Sequence, residues 1–265
     1  MDDGYSIIHT KKGNIMDTNY IKLLNNLEEL NLLNMKLNLS TYLQMITDNK
    51  KDVVTALFEL TELEKSLRLE RAIKSCVYTA GFPFQKTLDD YDFSFQPSVN
   101  KTEIEDLKTL RFIESNENIL FIGTPGVGKT HLATAIGIEA ASHRYSVYFI
   151  SCQTLMEQLK KAEQENRLAQ RLKSYARYKL LIIDEIGYLN LDTQAANLFF
   201  QLISLRYESK STIITTNKNL SKWGEIFGNP TIANAILDRL LHHSHIINII
   251  GPSYRTKDVL AALEE

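Results

Sequence analysis

The chain has 265 residues, 44% hydrophobic and 23% charged, ordinary globular proportions that exclude wholesale disorder. Its 30 Lys and Arg stand against 32 Asp and Glu, and the formal charge of −2 excludes a histone-like polycation while leaving room for a local basic stripe. The two cysteines, Cys76 and Cys152, form no Cys-x-x-Cys pair, the N-terminus MDDGYSIIHTKKGN has no apolar signal core, and no apolar run reaches the roughly 18 residues of a membrane span. A soluble, cytoplasmic protein without a disulfide scaffold or cysteine zinc site is expected, with no membrane partner.

Residues 1–15 read as a loose tail, with Met16 as an alternative start. A small all-helical domain is expected over residues 16–84, as a contact region for a partner or DNA. Leu23, Leu24, Leu27, Leu30 and Leu33 recur at threes and fours, and a second helical pattern runs from Val53 to Val77 before the stop signal Ala80-Gly81-Phe82-Pro83. Residues 85–100 form an aromatic, acidic connector, in which Tyr91, Phe93 and Phe95 are expected to pack between domains. From residue 101 to 265 the rhythm is strand, loop, helix. Apolar runs at 119–122, 147–150, 180–183, 212–215 and 245–250 predict a five-stranded parallel sheet flanked by helices, an α/β architecture.

Gly123-Thr124-Pro125-Gly126-Val127-Gly128-Lys129-Thr130 follows the strand NILFI and precedes a good helix former, which is the context a phosphate-binding loop requires. These eight residues and the following His131 are the expected nucleotide-binding set. Lys129 neutralises phosphate oxygens and Thr130 ligates Mg²⁺. In Leu180-Leu181-Ile182-Ile183-Asp184-Glu185, two carboxylates appear where a buried strand ends. Asp184 is expected to hold Mg²⁺ through water, and Glu185 to orient and deprotonate the attacking water. Asn217, at the end of the strand Thr212–Thr216, reaches the γ-phosphate or its water if that strand lies beside the Asp184 strand. The reaction this predicts is ATP hydrolysis with Mg²⁺.

GTPGVGKTHLATAIG, YKLLIIDEIGYL, STIITTN, WGEIFGNPTIANAILDRLLHH and GPSYR, in this order, resemble the IstB family of transposition helper ATPases, AAA+ proteins related to DnaC-type helicase loaders. The resemblance extends from about Tyr20 to Arg255. Thr216 stands where Ser is common and Asn229 where Asp is common. The resemblance implies an AAA+ domain over residues 101–265, and it implies that Arg239 is an arginine finger acting in trans on a neighbouring subunit's nucleotide. It also makes Arg255 a candidate second sensor in cis. An arginine acting in trans requires self-association into a ring or a helical oligomer. The implied function is an ATP-dependent DNA-binding helper that assembles on target DNA, remodels it and recruits a cognate transposase. The alternative is a helicase loader that binds single-stranded DNA; a non-hydrolysing assembly scaffold is a third reading.

Two basic stripes are candidates for sequence-tolerant contact with the DNA backbone: Lys160, Lys161, Arg167, Arg171, Lys173, Arg177 and Lys179, and Lys65, Arg68, Arg71 and Lys74. Each is equally readable as a solvated face. His242, His243 and His245 have no carboxylate or cysteine at ligand spacing, so no metal is expected there. Trp223, Ile226 and Phe227 are expected to pack the loop that leads to the Arg239 helix.

Overall fold

The computed structural model describes residues 18–188 and 190–257, so the expected tail, Met16 and the last residues of the 101–265 domain lie outside the described residues. The chain divides into two compact units between Arg71 and Ala72.

In the first unit the leucine pattern is carried by two helices, α1 (Thr18–Glu29) and α2 (Leu33–Thr47), followed by α3 (Val53–Thr79), which runs on into the second unit. The expected single leucine face is broken because Asn31 adopts φ +55°, a left-handed conformation that ends α1, and Leu30 is left exposed. Leu27, Leu39 and Leu60 form the small core. The start of α2 is capped from α3, where the buried Glu64 carboxylate accepts the Asn34 N–H at 2.8 Å.

The second unit begins with α4 (Lys101–Lys108) and α5 (Arg111–Glu114). It continues through β1 (Asn118–Gly123), α6 (Lys129–Ser142), β2 (Val147–Ser151), α7 (Cys152–Gln164) and α8 (Leu168–Ala176). Then come β3 (Leu180–Ile186), α9 (Thr193–Arg206), β4 (Ser211–Thr216), α10 (Trp223–Ile226), α11 (Pro230–Leu241) and β5 (Ser244–Ile249). All five strands pair in parallel in the order β2-β3-β4-β1-β5.

Strand side chains alternate between two cores, as period-2 geometry dictates. Leu120, Leu181, Ile183 and Ile214 face α7 to α11, while Ile119, Phe121, Ile182 and Ile213 face α4, α5 and α6. Trp223, Ile226 and Phe227 are fully enclosed in the first of these cores, as expected of loop-packing residues. Side-chain caps fix the helix starts: Ser151 for α7, Asp192 for α9 and Asn229 for α11. Asn229 Oδ1 accepts from the Thr231 and Ile232 N–H groups at 2.9 and 3.2 Å, a task an aspartate performs in the same way.

Candidate nucleotide site

The phosphate loop joins β1 to α6, so the first turn of α6 points its free N–H groups at the loop's interior. Gly126 and Gly128 take φ +83° and +96°, conformations in which any Cβ is strained. A Cβ on Gly123 would stand 2.4 Å from the Ile249 carbonyl oxygen, so this glycine is required by the close approach of β5. The Lys129 ammonium donates to the carbonyls of Gly123 at 2.8 Å and Thr124 at 2.7 Å, which anchors it inside the loop. Burial lowers its pKa, and the Asp184 charge works against that shift.

Asp184 is buried in β3, directly before the exposed Glu185. The Asp184 carboxylate accepts from Thr130 Oγ1 at 3.0 Å and from Thr215 Oγ1 at 2.5 Å. Burial raises its pKa, and these two hydroxyl donors oppose the rise. Thr130 and Asp184 together offer hard oxygen donors within bonding distance of each other, a set that suits Mg²⁺ and no soft metal. When bound there, Mg²⁺ supplies charge neutralisation to phosphate oxygens.

Between the pairs Ile183–Ile214 and Ile186–Thr216 the β3/β4 register shifts, leaving Asp184 and Glu185 opposite the single residue Thr215. Glu185 takes φ +65°, and its side chain is exposed while Asp184 and Ile186 on either side are buried. Glu185 therefore lines a cavity of about 220 Å³ together with Gly128, Lys129, Thr130, Tyr91 and Arg255. Asn217 follows β4 directly. Its Oδ1 is buried without a hydrogen-bond partner and lies 2.9 Å from where a Cβ on Gly187 would sit.

The connector closes the other side of this cavity. Tyr91 donates its hydroxyl to the Val127 carbonyl at 3.2 Å, and burial pushes its pKa up to about 12. His131 Nε2 meets the Thr87 carbonyl at 2.9 Å, and its ring stands edge-on to Tyr91 and Phe84. The segment after β5 is tied in as well, since the Tyr254 N–H donates to the Gly126 carbonyl at 2.9 Å. That bond sets Arg255 on the cavity in the same chain. Tyr91 and Phe93 of the connector pack against the phosphate loop and its sheet, within the second unit.

Arg239 is not among the residues lining this cavity. It lies on α11 with its guanidinium 4.6 Å above the Phe200 ring and donates to the Ala235 carbonyl at 2.9 Å. The basic run from Lys160 to Lys179 spans two helices, with Arg167 in the break before α8. Lys160 pairs with Asp192 at 2.6 Å, Arg167 with Glu165, and Arg171 with Gln158 while lying 5.1 Å above the Tyr175 ring. Lys161, Arg167 and Arg171 line a second cavity of about 390 Å³, while Lys173 and Arg177 are exposed. In the other stripe, Lys65 pairs with Glu62 at 2.8 Å and Arg68 with Glu64 at 3.5 Å.

Acids distant in sequence reach the histidines: His245 pairs with Glu117 at 2.8 Å, and Glu208 comes within 4.8 Å of ligand atoms on both His242 and His243. Sequence reasoning missed Thr215 altogether. Its only signal was a hydroxyl in an apolar strand two residues before Asn217.

A phosphate loop after β1, paired acids at the end of β3, and β4 inserted between those two strands define a P-loop protein of the AAA+ class. Aquifex aeolicus DnaA bound to AMPPCP shares this fold with a TM-score of 0.53 at 19% identity, over 69% of this chain and 56% of that one. The chain belongs to the family of IstB-like ATP binding proteins, which matches residues 25–262. The "Insertion sequence IS232 putative ATP-binding protein" of Bacillus thuringiensis subsp. berliner is 52% identical over 92% of this chain and 97% of its own length. The corresponding IS5376 protein of Geobacillus stearothermophilus is 47% identical over 76% of this chain and 80% of its own. Among the described residues no helix is long and apolar enough to cross a membrane.

Proposed function

We propose that this protein is an ATP-hydrolysing helper of a transposase. It assembles with ATP on target DNA, deforms that DNA and recruits the transposase, with hydrolysis as the regulator. The observation that carries the hydrolytic part is Glu185: a carboxylate turned out of β3 into the cavity, one residue after the acid bonded to Thr130. A water held there loses its proton to Glu185 as its oxygen bonds the γ-phosphorus and the bond from that phosphorus to the β,γ-bridging oxygen breaks, releasing ADP, while Lys129 and the loop N–H groups hold the phosphate oxygens. Asn217 Oδ1, a buried acceptor without a partner, lies beside Gly187 and not on the cavity wall, so a role as sensor of that water requires Asn217 to turn towards the cavity when nucleotide binds. Arg239 completes the pocket of a neighbouring copy, where a planar guanidinium stabilises charge that grows in the transition state.

The insertion-sequence names of the relatives support the transposition setting. We place backbone contact with DNA on the cavity lined by Lys161, Arg167 and Arg171. Partner contact falls to the first unit, where Val54, Leu57 and Phe58 leave an apolar face of α3 exposed at positions i, i+3 and i+4.

The test is Glu185→Gln, assayed for ATP binding, DNA binding and steady-state turnover. Retained binding with turnover reduced at least about 100-fold supports the reading; undiminished hydrolysis overturns the assigned base. Binding to duplex and single-stranded DNA, with and without ATP, decides the setting. ATP-dependent preference for duplex supports the transposition helper, and preference for single strands supports a helicase loader.

A further inference from the structure

Thr215 is fully buried in β4, yet its hydroxyl sits where the two acids of β3 separate. It donates to Asp184 Oδ1 at 2.5 Å and accepts the Glu185 N–H at 2.9 Å. One hydroxyl hydrogen and one lone pair are therefore both committed, each to a different acid of the pair. The bulge explains why this is needed. With two β3 residues opposite one β4 residue, a ladder donor loses its ordinary carbonyl partner, and a buried N–H left unpaired is unfavourable. Glu185 also holds φ +65°, a region that a residue with a Cβ occupies only when its surroundings enforce it.

We propose that Thr215 is a positioning residue for the Mg²⁺ and hydrolysis site, fixing the Asp184 carboxylate towards Thr130 and locking the backbone kink that turns Glu185 into the cavity. The inference rests on the hydrolytic reading above for its second half only. The first half concerns the metal-holding geometry and stands independently of turnover. Thr130 Oγ1 reaches both oxygens of Asp184, at 3.0 and 3.1 Å, so Asp184 needs a second contact to choose one orientation, and Thr215 supplies it on Oδ1 alone. Valine matches threonine in shape and strand preference but offers neither donor nor acceptor, whereas serine keeps both.

The experiment compares wild type, Thr215→Val and Thr215→Ser in the full-length protein. A fluorescent ATP analogue is titrated first in EDTA, then at fixed nucleotide against Mg²⁺, and turnover is measured at saturating ATP. In Thr215→Val the analogue binds in EDTA within about twofold of wild type. The Mg²⁺ midpoint rises fivefold or more, and kcat falls at least tenfold with little change in KM. Thr215→Ser recovers at least half of both effects. An equal loss in EDTA and in Mg²⁺, an unchanged midpoint, or failure of serine to rescue overturns the proposal. If wild type binds Mg²⁺ with nucleotide but never turns over, the hydrolytic reading fails while the midpoint shift still decides the role of Thr215.

Discussion

Tyr91 lies directly across Gly128: a Cβ on that glycine would stand 2.6 Å from Tyr91 Cε2. The connector thus sets the outer wall of the phosphate loop, and the loop's glycine is required by its neighbour as well as by φ +96°. Gly128→Ala is expected to lose at least about 1 kcal/mol of stability, in the range of left-handed strain at a non-glycine residue, and to weaken nucleotide binding. Tyr91→Ala by itself is destabilising, because it empties a buried ring position, but in that background the further loss caused by Gly128→Ala is smaller, since the collision is gone and the backbone strain remains. Denaturant unfolding and a nucleotide titration on the two single variants and the double read this directly.

Asp184→Asn is expected to make the protein more stable in the absence of Mg²⁺. Burial raises the pKa of Asp184, so the native state holds that proton more tightly than the unfolded chain does. Its charge therefore opposes folding near neutral pH, and this opposition fades as the pH falls through the raised pKa. The variant should show a Tm higher by about 2–4 °C for each 1 kcal/mol relieved, in EDTA near pH 7, with the advantage shrinking towards about pH 4. Thermal melts of both proteins across that range check the sign. ATP should stabilise both proteins, and adding Mg²⁺ to the ATP-bound state should stabilise the wild type further while adding little to the variant.

Arg239→Ala is expected to bind ATP normally and lose turnover, since its guanidinium lies over Phe200 and outside the cavity of its own chain. Mixing Arg239→Ala with Glu185→Gln, each inactive alone, should restore activity. With random head-to-tail assembly about one pocket in four pairs an intact Glu185 with an intact Arg239. Recovery to about a quarter of the wild-type rate supports action in trans, and no recovery at any ratio refutes it.

Much of this site is legible along the chain because its parts are local. Gly123 to Thr130 announces a loop between strand and helix, and Asp184-Glu185 announces the end of a buried strand, each within a few consecutive residues. Tertiary partners are not legible in this way. Arg206 is an example: it reads as an ordinary basic residue ending a helix. In the fold it is fully buried, donating to the carbonyls of Tyr175 at 3.0 Å and Tyr178 at 2.9 Å and to Thr212 Oγ1 at 3.0 Å. It ties the end of α8 to the base of β4. Likewise, Leu30 and Leu33 fit one helical face by spacing, yet a single left-handed Asn31 separates them.

The sheet, the phosphate loop and the family can be read along the chain alone, because hydrophobic period, glycine placement and motif order are properties of neighbouring residues. The folded chain alone reveals that Thr215 bridges Asp184 and Glu185, that Tyr91 backs the loop, and that Glu208 meets His242. These contacts join residues 30 or more positions apart, and their geometry depends on strand register, a bulge and the packing of separate elements. A hydroxyl in a strand looks the same in sequence whether it faces an acid pair or nothing at all.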